Sequence, residues 1–221
     1  MARNPSLKEQ NAWLLRAVLL FHTVVFAYVA FEPFMLAQLH RPDFLQKLRE
    51  AIAPGTLSLA AIALTRIVLL GLIPARLRDR AIHWRWRHPL PGSRAFTKLG
   101  PADPRVDMNK IDDRYGPLPV DPEMQNVLLY RIYSAHATCT GVLDAHRSYL
   151  AVRDIGVINL LMLLLLPASA YWATYEAIRT AAYAAMLLLS YALMCWAAQI
   201  YGERLVENTL AAASADGKAF S

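Results

Sequence analysis

The sequence predicts an all-α integral membrane protein: four transmembrane helices in two hairpins, with a small cytosolic segment between them that is basic and Pro-rich at first and then helical. Three observations lead there. Four apolar runs are long enough to cross a bilayer, and the cationic charge gathers between the second and third of them. Apolar residues make up 56% of the 221, charged residues only 18%, and mean hydropathy is +0.27. Soluble domains carry about a quarter charged residues.

The first run, Trp13–Phe31, is apolar apart from Arg16 at its entrance and His22. It exceeds the roughly 7–15 apolar residues of a secretory signal, so it reads as an uncleaved anchor. No small-residue cleavage site follows it, because Glu32-Pro33-Phe34 comes next. The second run, Leu57–Ile73, carries one charge, Arg66. The third, Ile155–Ala173, has no charged side chain at all. As a helix it would extend roughly 28 Å, close to the hydrocarbon thickness of a bilayer. The fourth, Ile178–Ala198, has only Arg179 in its first turn, and a short tail is expected beyond it.

These runs divide the chain into an N-terminal transmembrane hairpin (1–75), a cytosolic segment (76–154) and a C-terminal hairpin with its tail (155–221). Lys and Arg set the orientation. The central segment holds thirteen of them, whereas the loop from Glu32 to Thr56 holds only Arg41, Lys47 and Arg49, balanced by three acids. The positive-inside rule then puts the central segment and both termini in the cytosol, and the protein in the inner (plasma) membrane. The net charge of +6 is read as a topology signal, and nucleic acid is not expected as a partner.

The central segment has two characters. Between Pro89 and Pro122 lie seven prolines with Gly92, Gly100 and Gly116, which reads as turns and extended stretches. Trp84, Trp86, Phe96 and Tyr115 favour order there. From Asp121 the pattern turns helical: Asp121 suits an N-cap, Pro122 the first helical position and Glu123 the positive end. Thr138–Gly141 is the expected break before the third span.

Candidate functional residues fall into three groups. Arg85 and Arg87, with His146, Arg147 and Arg153 before the third span, suit a ligand or a lipid headgroup. His22, Arg66 and Asn159 are polar groups inside spans, where a charge is costly and faces an interior partner or water. Arg131 and His136 lie in R-I-Y-S-A-H. This string resembles the R-x4-6-H motif of the HEPN ribonuclease superfamily, which implies an Arg and a His cleaving RNA across a dimer. The resemblance covers six residues, and Ile132 stands where family members place a polar residue.

Two widely separated cysteines, one inside a span, offer neither a disulfide framework nor a metal site, and no cofactor is expected. Nucleotide-loop, zinc and serine-hydrolase strings are absent. The first expectation is therefore a non-enzymatic membrane effector or channel-like homo-oligomer whose cytosolic module senses a protein or nucleotide partner. Its layout is analogous to effectors of bacterial anti-phage defence. The alternatives are a membrane-anchored enzyme acting on nucleic acid or nucleotides, and an accessory subunit of a membrane complex.

Overall fold

The computed structural model describes residues 7–38 and 73–216, with side chains described for 7, 9–29, 73–172 and 174–216. The second apolar run up to residue 72, and Arg66 with it, lies outside the described residues. Within them the chain is all-helical, and three helices are long and apolar enough to cross a membrane. A single turn, Leu7–Gln10, precedes α1 (Ala12–Gln38); α2 is Ala75–His83. A 3₁₀ turn (Pro91–Arg94), a π turn (Ala95–Leu99) and one further α turn (Gly100–Ala102) lead to α3 (Met108–Tyr115). Then come α4 (Pro122–His136), α5 (Thr140–Thr174) and α6 (Ala177–Ala215).

The chain forms two compact units. The apolar unit takes Glu9–Pro74 and Asp154–Leu193; the basic unit takes Ala75–Arg153 and the chain from Met194 on, together with the first eight residues. Both unit boundaries at the long helices, 153/154 and 193/194, fall inside an unbroken helix.

In the apolar unit, Leu15 and Val29 of α1, Ile158, Met162 and Ala170 of α5, and Tyr183 and Leu187 of α6 form the buried cluster. The opposite faces are equally apolar. Leu20, Phe21, Val24, Leu164, Leu165, Leu188 and Leu189 are all more than half exposed. A helix in water would put polar side chains on such a face. These helices are built for a hydrocarbon surround.

The basic unit has a conventional core made of Phe96 and Leu99, Ile111, Leu129 and Ile132, and Val206, Leu210 and Ala213 from the end of α6. The sequence reading ends the fourth helix near Ala198 because Glu203, Arg204 and Glu207 interrupt the apolar run. The helix instead continues to Ala215, since Val206, Leu210 and Ala213 recur at helical spacing and are covered by the basic unit. The expected tail is thus a core element up to Ala215.

The Pro-rich segment is ordered through specific hydrogen bonds. Buried Gln125 of α4 accepts from the Phe96 and Thr97 amides (3.0 and 3.3 Å) and donates to the Val120 carbonyl (2.8 Å). Asp103, held below the usual carboxylate range by the Arg105 guanidinium, pairs with it at 2.7 Å. Arg105 also reaches Asn208 (3.1 Å), which donates to the Gly141 carbonyl (2.9 Å). The helix α3 departs from the turns and extended stretches expected here. Asp107 caps it through the Lys110 amide, and it buries Ile111 completely.

Helix α4 begins as its sequence implies: Asp121 accepts from the Glu123 and Met124 amides (3.0 and 2.9 Å), with Pro122 in the first position. The break falls at 137–139. At the other end of the chain Arg114 donates to the Ala213 and Asp216 carbonyls (3.1 and 2.8 Å), satisfying groups that a helix C-terminus leaves open. Gly202 lets α6 approach closely, because a Cβ there would stand 2.7 Å from Pro91 Cγ and 3.3 Å from the Tyr149 ring.

Two substitutions follow. Gln125→Leu strands the buried Phe96 amide and is expected to lower stability by about 1–3 kcal/mol. Gly202→Ala, which overpacks the Pro91 contact, is expected to cost about as much. Thermal unfolding of the detergent-solubilised variants checks both. Gly141→Ala, whose Cβ would meet nothing closer than 3.7 Å, should leave the transition unchanged.

Candidate functional site

One face of α5 carries the polar groups of the basic unit. His146, Tyr149 and Arg153 follow at helical spacing, so a single stripe meets α4 and α2 in turn. His146 Nδ1 lies 2.6 Å from the Tyr133 hydroxyl of α4, with the rings edge to face. Tyr149 bonds His83 Nε2 of α2 at 3.0 Å with stacked rings, and the Arg153 guanidinium sits 5.7 Å from the Tyr149 ring centroid. Burial pushes the Tyr133 phenol above its usual range.

His83 is almost fully buried, and its pKa falls from 6.5 to about 4. Burial is the first cause, and the positive charges of Arg94, Arg85 and Arg153 add to it. Arg94 in turn pairs with Glu203 of α6 at 3.5 Å. The structure therefore gathers Arg85, Arg94 and Arg153 around a histidine that stays neutral at physiological pH. Beside this stripe lies a mostly apolar cavity of about 140 Å³, bounded by Tyr133, His146, Tyr149, Leu129 and Gly202.

A second, larger recess lies on the far side of the loop after α2. It measures about 620 Å³ and is lined by Arg76, Asp79 and Arg80 of α2, by Trp86, Arg87 and His88, and by the first turn of α4. The Arg80 guanidinium stands 5.7 Å from the Trp86 ring centroid. Arg85 and Arg87 are exposed, whereas His146, Arg147 and Arg153 are half-buried on α5. The five residues singled out as headgroup or ligand contacts thus divide between an open loop and a packed helix face.

Arg131 and His136 do not share a face. Arg131 is exposed on α4, and His136 is buried, with Nδ1 donating to the Ile132 carbonyl (2.9 Å) and Nε2 3.6 Å from an Asp216 carboxylate oxygen. That arrangement seats the end of α4 against the end of α6. Among the described residues no three His, Cys, Asp or Glu side chains converge on a metal position.

In the apolar unit, His22 and Asn159, two of the three polar groups expected inside spans, bond to each other. His22 Nε2 lies 3.0 Å from Asn159 Oδ1, and Asn159 donates to the Ser190 hydroxyl at 2.7 Å. Since Asn159 Oδ1 accepts, His22 Nε2 carries the proton. Its Nδ1 and the hydroxyl of buried Tyr183 have no hydrogen-bond partner among the described residues. One polar chain thus links α1, α5 and α6 within an apolar cluster. Ser190, Tyr133, Tyr149 and His83 are functional candidates that the sequence does not single out by charge. Helical spacing from Arg153 and His146 identifies Tyr149, but nothing local points to His83.

Comparison with protein-family models, curated proteins and solved structures finds no match for the chain.

His83 makes stability depend on pH in a defined window. Its folded pKa lies below the unfolded value, so its contribution is complete above about pH 6.5 and is lost as pH falls toward 4. The loss amounts to about 3 kcal/mol. Thermal melts at pH 7.5 and pH 4.5 should diverge more for the wild type than for His83→Gln. Separately, Asn159→Leu leaves both nitrogens of His22 without a bond and should destabilise the apolar unit by about 1–3 kcal/mol, read by thermal aggregation in detergent.

Proposed function

We propose that the chain is a non-enzymatic multi-pass membrane effector or channel-like oligomer, whose basic unit senses a ligand or partner and passes that event to the spans. The observation that carries this reading is the continuity of α5 and α6, each of which belongs in part to the basic unit and in part to the apolar one. A shift or tilt imposed on such a helix in one unit is transmitted along its own backbone. No linker intervenes to absorb it.

The remaining features of the reading have their own support. The apolar run up to Ile73 supplies a fourth span, giving two hairpins around the basic segment. The concentration of Lys and Arg between them puts that segment and both termini in the cytosol, with the spans in the inner membrane. Small residues Ala181, Ala182 and Ala185 are exposed on α6, a surface suited to close helix contact between copies. A conducting path is supported by the buried His22–Asn159–Ser190 chain and by the one charge in the second apolar run, Arg66, which a membrane span would have to face inward.

Overexpression in cells is expected to dissipate the membrane potential, read with a voltage-sensitive dye. Arg66→Leu is expected to insert and assemble but to abolish the leak. A clean monomer in mild detergent, with no leak from reconstituted wild-type protein, would overturn the reading and favour an accessory subunit.

A further inference from the structure

The recess beside α2 gathers three arginines. Arg76, Arg80 and Arg87 line it, and none of them joins an ion pair among the described residues. The carboxylates of Asp79 and Glu123 also face it, and Asp79 already has an interaction of its own. Trp86, 76% exposed, stands at the edge with Arg80 against its ring. The volume of about 620 Å³ falls within the roughly 300–1,000 Å³ of small-molecule sites.

The backbone holds this arrangement at a cost. Trp84 and His88, at the two ends of the Arg85–Trp86–Arg87 tripeptide, both adopt left-handed conformations, with φ of 52° and 46°. Such a conformation is a genuine outlier for Trp84, while histidine is among the residue types that adopt it more readily; a left-handed non-glycine residue costs about 1–3 kcal/mol. The Ser93 hydroxyl fixes the far end, reaching the His88 and Leu90 carbonyls at 3.1 and 2.7 Å. The loop thus presents two arginines and an indole outward rather than folding them away.

We propose that this recess binds a phosphate ester. The guanidinium groups of Arg76, Arg80 and Arg87 take the phosphate oxygens, as forked donors suit planar pairs of oxygens. The carboxylates of Asp79 and Glu123 take a hydroxyl or ammonium group next to the phosphate, and Trp86 packs over the remainder. Two sources carry this chemistry: the headgroup of a phospholipid and a soluble phosphate ester. Arg76 follows the last residue of the second apolar run, Ile73, by three positions, so a headgroup is the source within reach once that run spans the bilayer. The proposal extends the sensing reading above by naming what the basic unit recognises, and it rests on that reading only for what binding does to the spans.

The test uses the full chain in detergent, titrated separately with dihexanoyl-phosphatidylglycerol, dihexanoyl-phosphatidylcholine and glycerol 3-phosphate. Native mass spectrometry counts adducts, and the fluorescence change that Trp86→Phe removes reports on Trp86, one of five tryptophans. Saturable phosphatidylglycerol binding is expected, weakened about tenfold or more in Arg80→Gln/Arg87→Gln. Arg131→Gln, at an exposed position outside the recess, should bind as the wild type does. Glycerol 3-phosphate binding as tightly as the lipid would keep the site and assign it to a soluble ester. No saturation with any probe, or equal affinity in the double variant, would overturn the proposal. If the double variant does not fold, Arg76→Gln with Trp86→Phe supplies the same comparison. A wild type that leaks but binds none of the probes removes this proposal alone, whereas a wild type that binds but does not leak removes the effector reading alone.

Discussion

One helix has to satisfy two different surroundings. At 39 residues α6 would extend roughly 58 Å, almost twice the hydrocarbon thickness of a bilayer. Whatever length the membrane covers, the rest must be buried by protein or stand in water. The chain meets this constraint by changing the side chains along one backbone. Up to Leu193 the outward faces carry leucine and alanine. Beyond that point Glu203, Arg204 and Glu207 appear, while Val206, Leu210 and Ala213 turn inward to a core of ordinary composition. The basic unit is organised around that second half.

That dependence explains why so much of the basic unit's polar bonding ends on α6. Arg114 closes its C-terminal carbonyls, His136 faces Asp216, Arg94 pairs with Glu203, and Arg105 reaches Asn208. The HEPN-like histidine is one of these contacts, its Nδ1 occupied within its own helix. On α5 the His146–Tyr133 and Tyr149–His83 bonds tie α4 and α2 to the same scaffold. With those groups engaged in packing, Arg76 and Arg80 of α2 and Arg87 of the following loop line the surface recess. That recess carries three arginines against two carboxylates, Asp79 and Glu123, the mixed lining on which the phosphate-ester proposal rests, and α5 and α6 of the frame also enter the apolar unit.

The features legible in the sequence are those that depend on local chemistry. Asp121 and Pro122 start α4 where their capping preference implies, while the break at 137–139 overlaps the expected Thr138–Gly141 only in part, because Thr140 and Gly141 already open α5. The long uncharged run of α5 is legible for the same reason. Features that depend on distant partners are not. Helix α3 gives little sign of itself among prolines, since Ile111 is its one fully buried residue, with Met108 and Tyr115 only partly buried against the same core. The continuation of α6 is hidden by charges that stand on its outer side. His83 and Tyr149 are 66 residues apart, and no spacing rule brings them together. Depth alone brings His22 and Asn159 to the same level, but Ser190 as the third member requires the packing of α5 against α6.

The most direct test of this account concerns the outer surface of α6, where Leu188 and Leu189 are 54% and 62% exposed by protein alone. Exposed Cys139 and buried Cys195 are first replaced, by serine and alanine. Single cysteines are then placed at Leu188 and at exposed Arg204, and intact membranes are treated with a charged, membrane-impermeant maleimide from both sides. The account predicts rapid labelling at 204, and labelling at 188 only after the membrane is dissolved and the protein denatured. Equal labelling of both positions in intact membranes would mean that water, and not lipid, covers the apolar half of α6, and would contradict it.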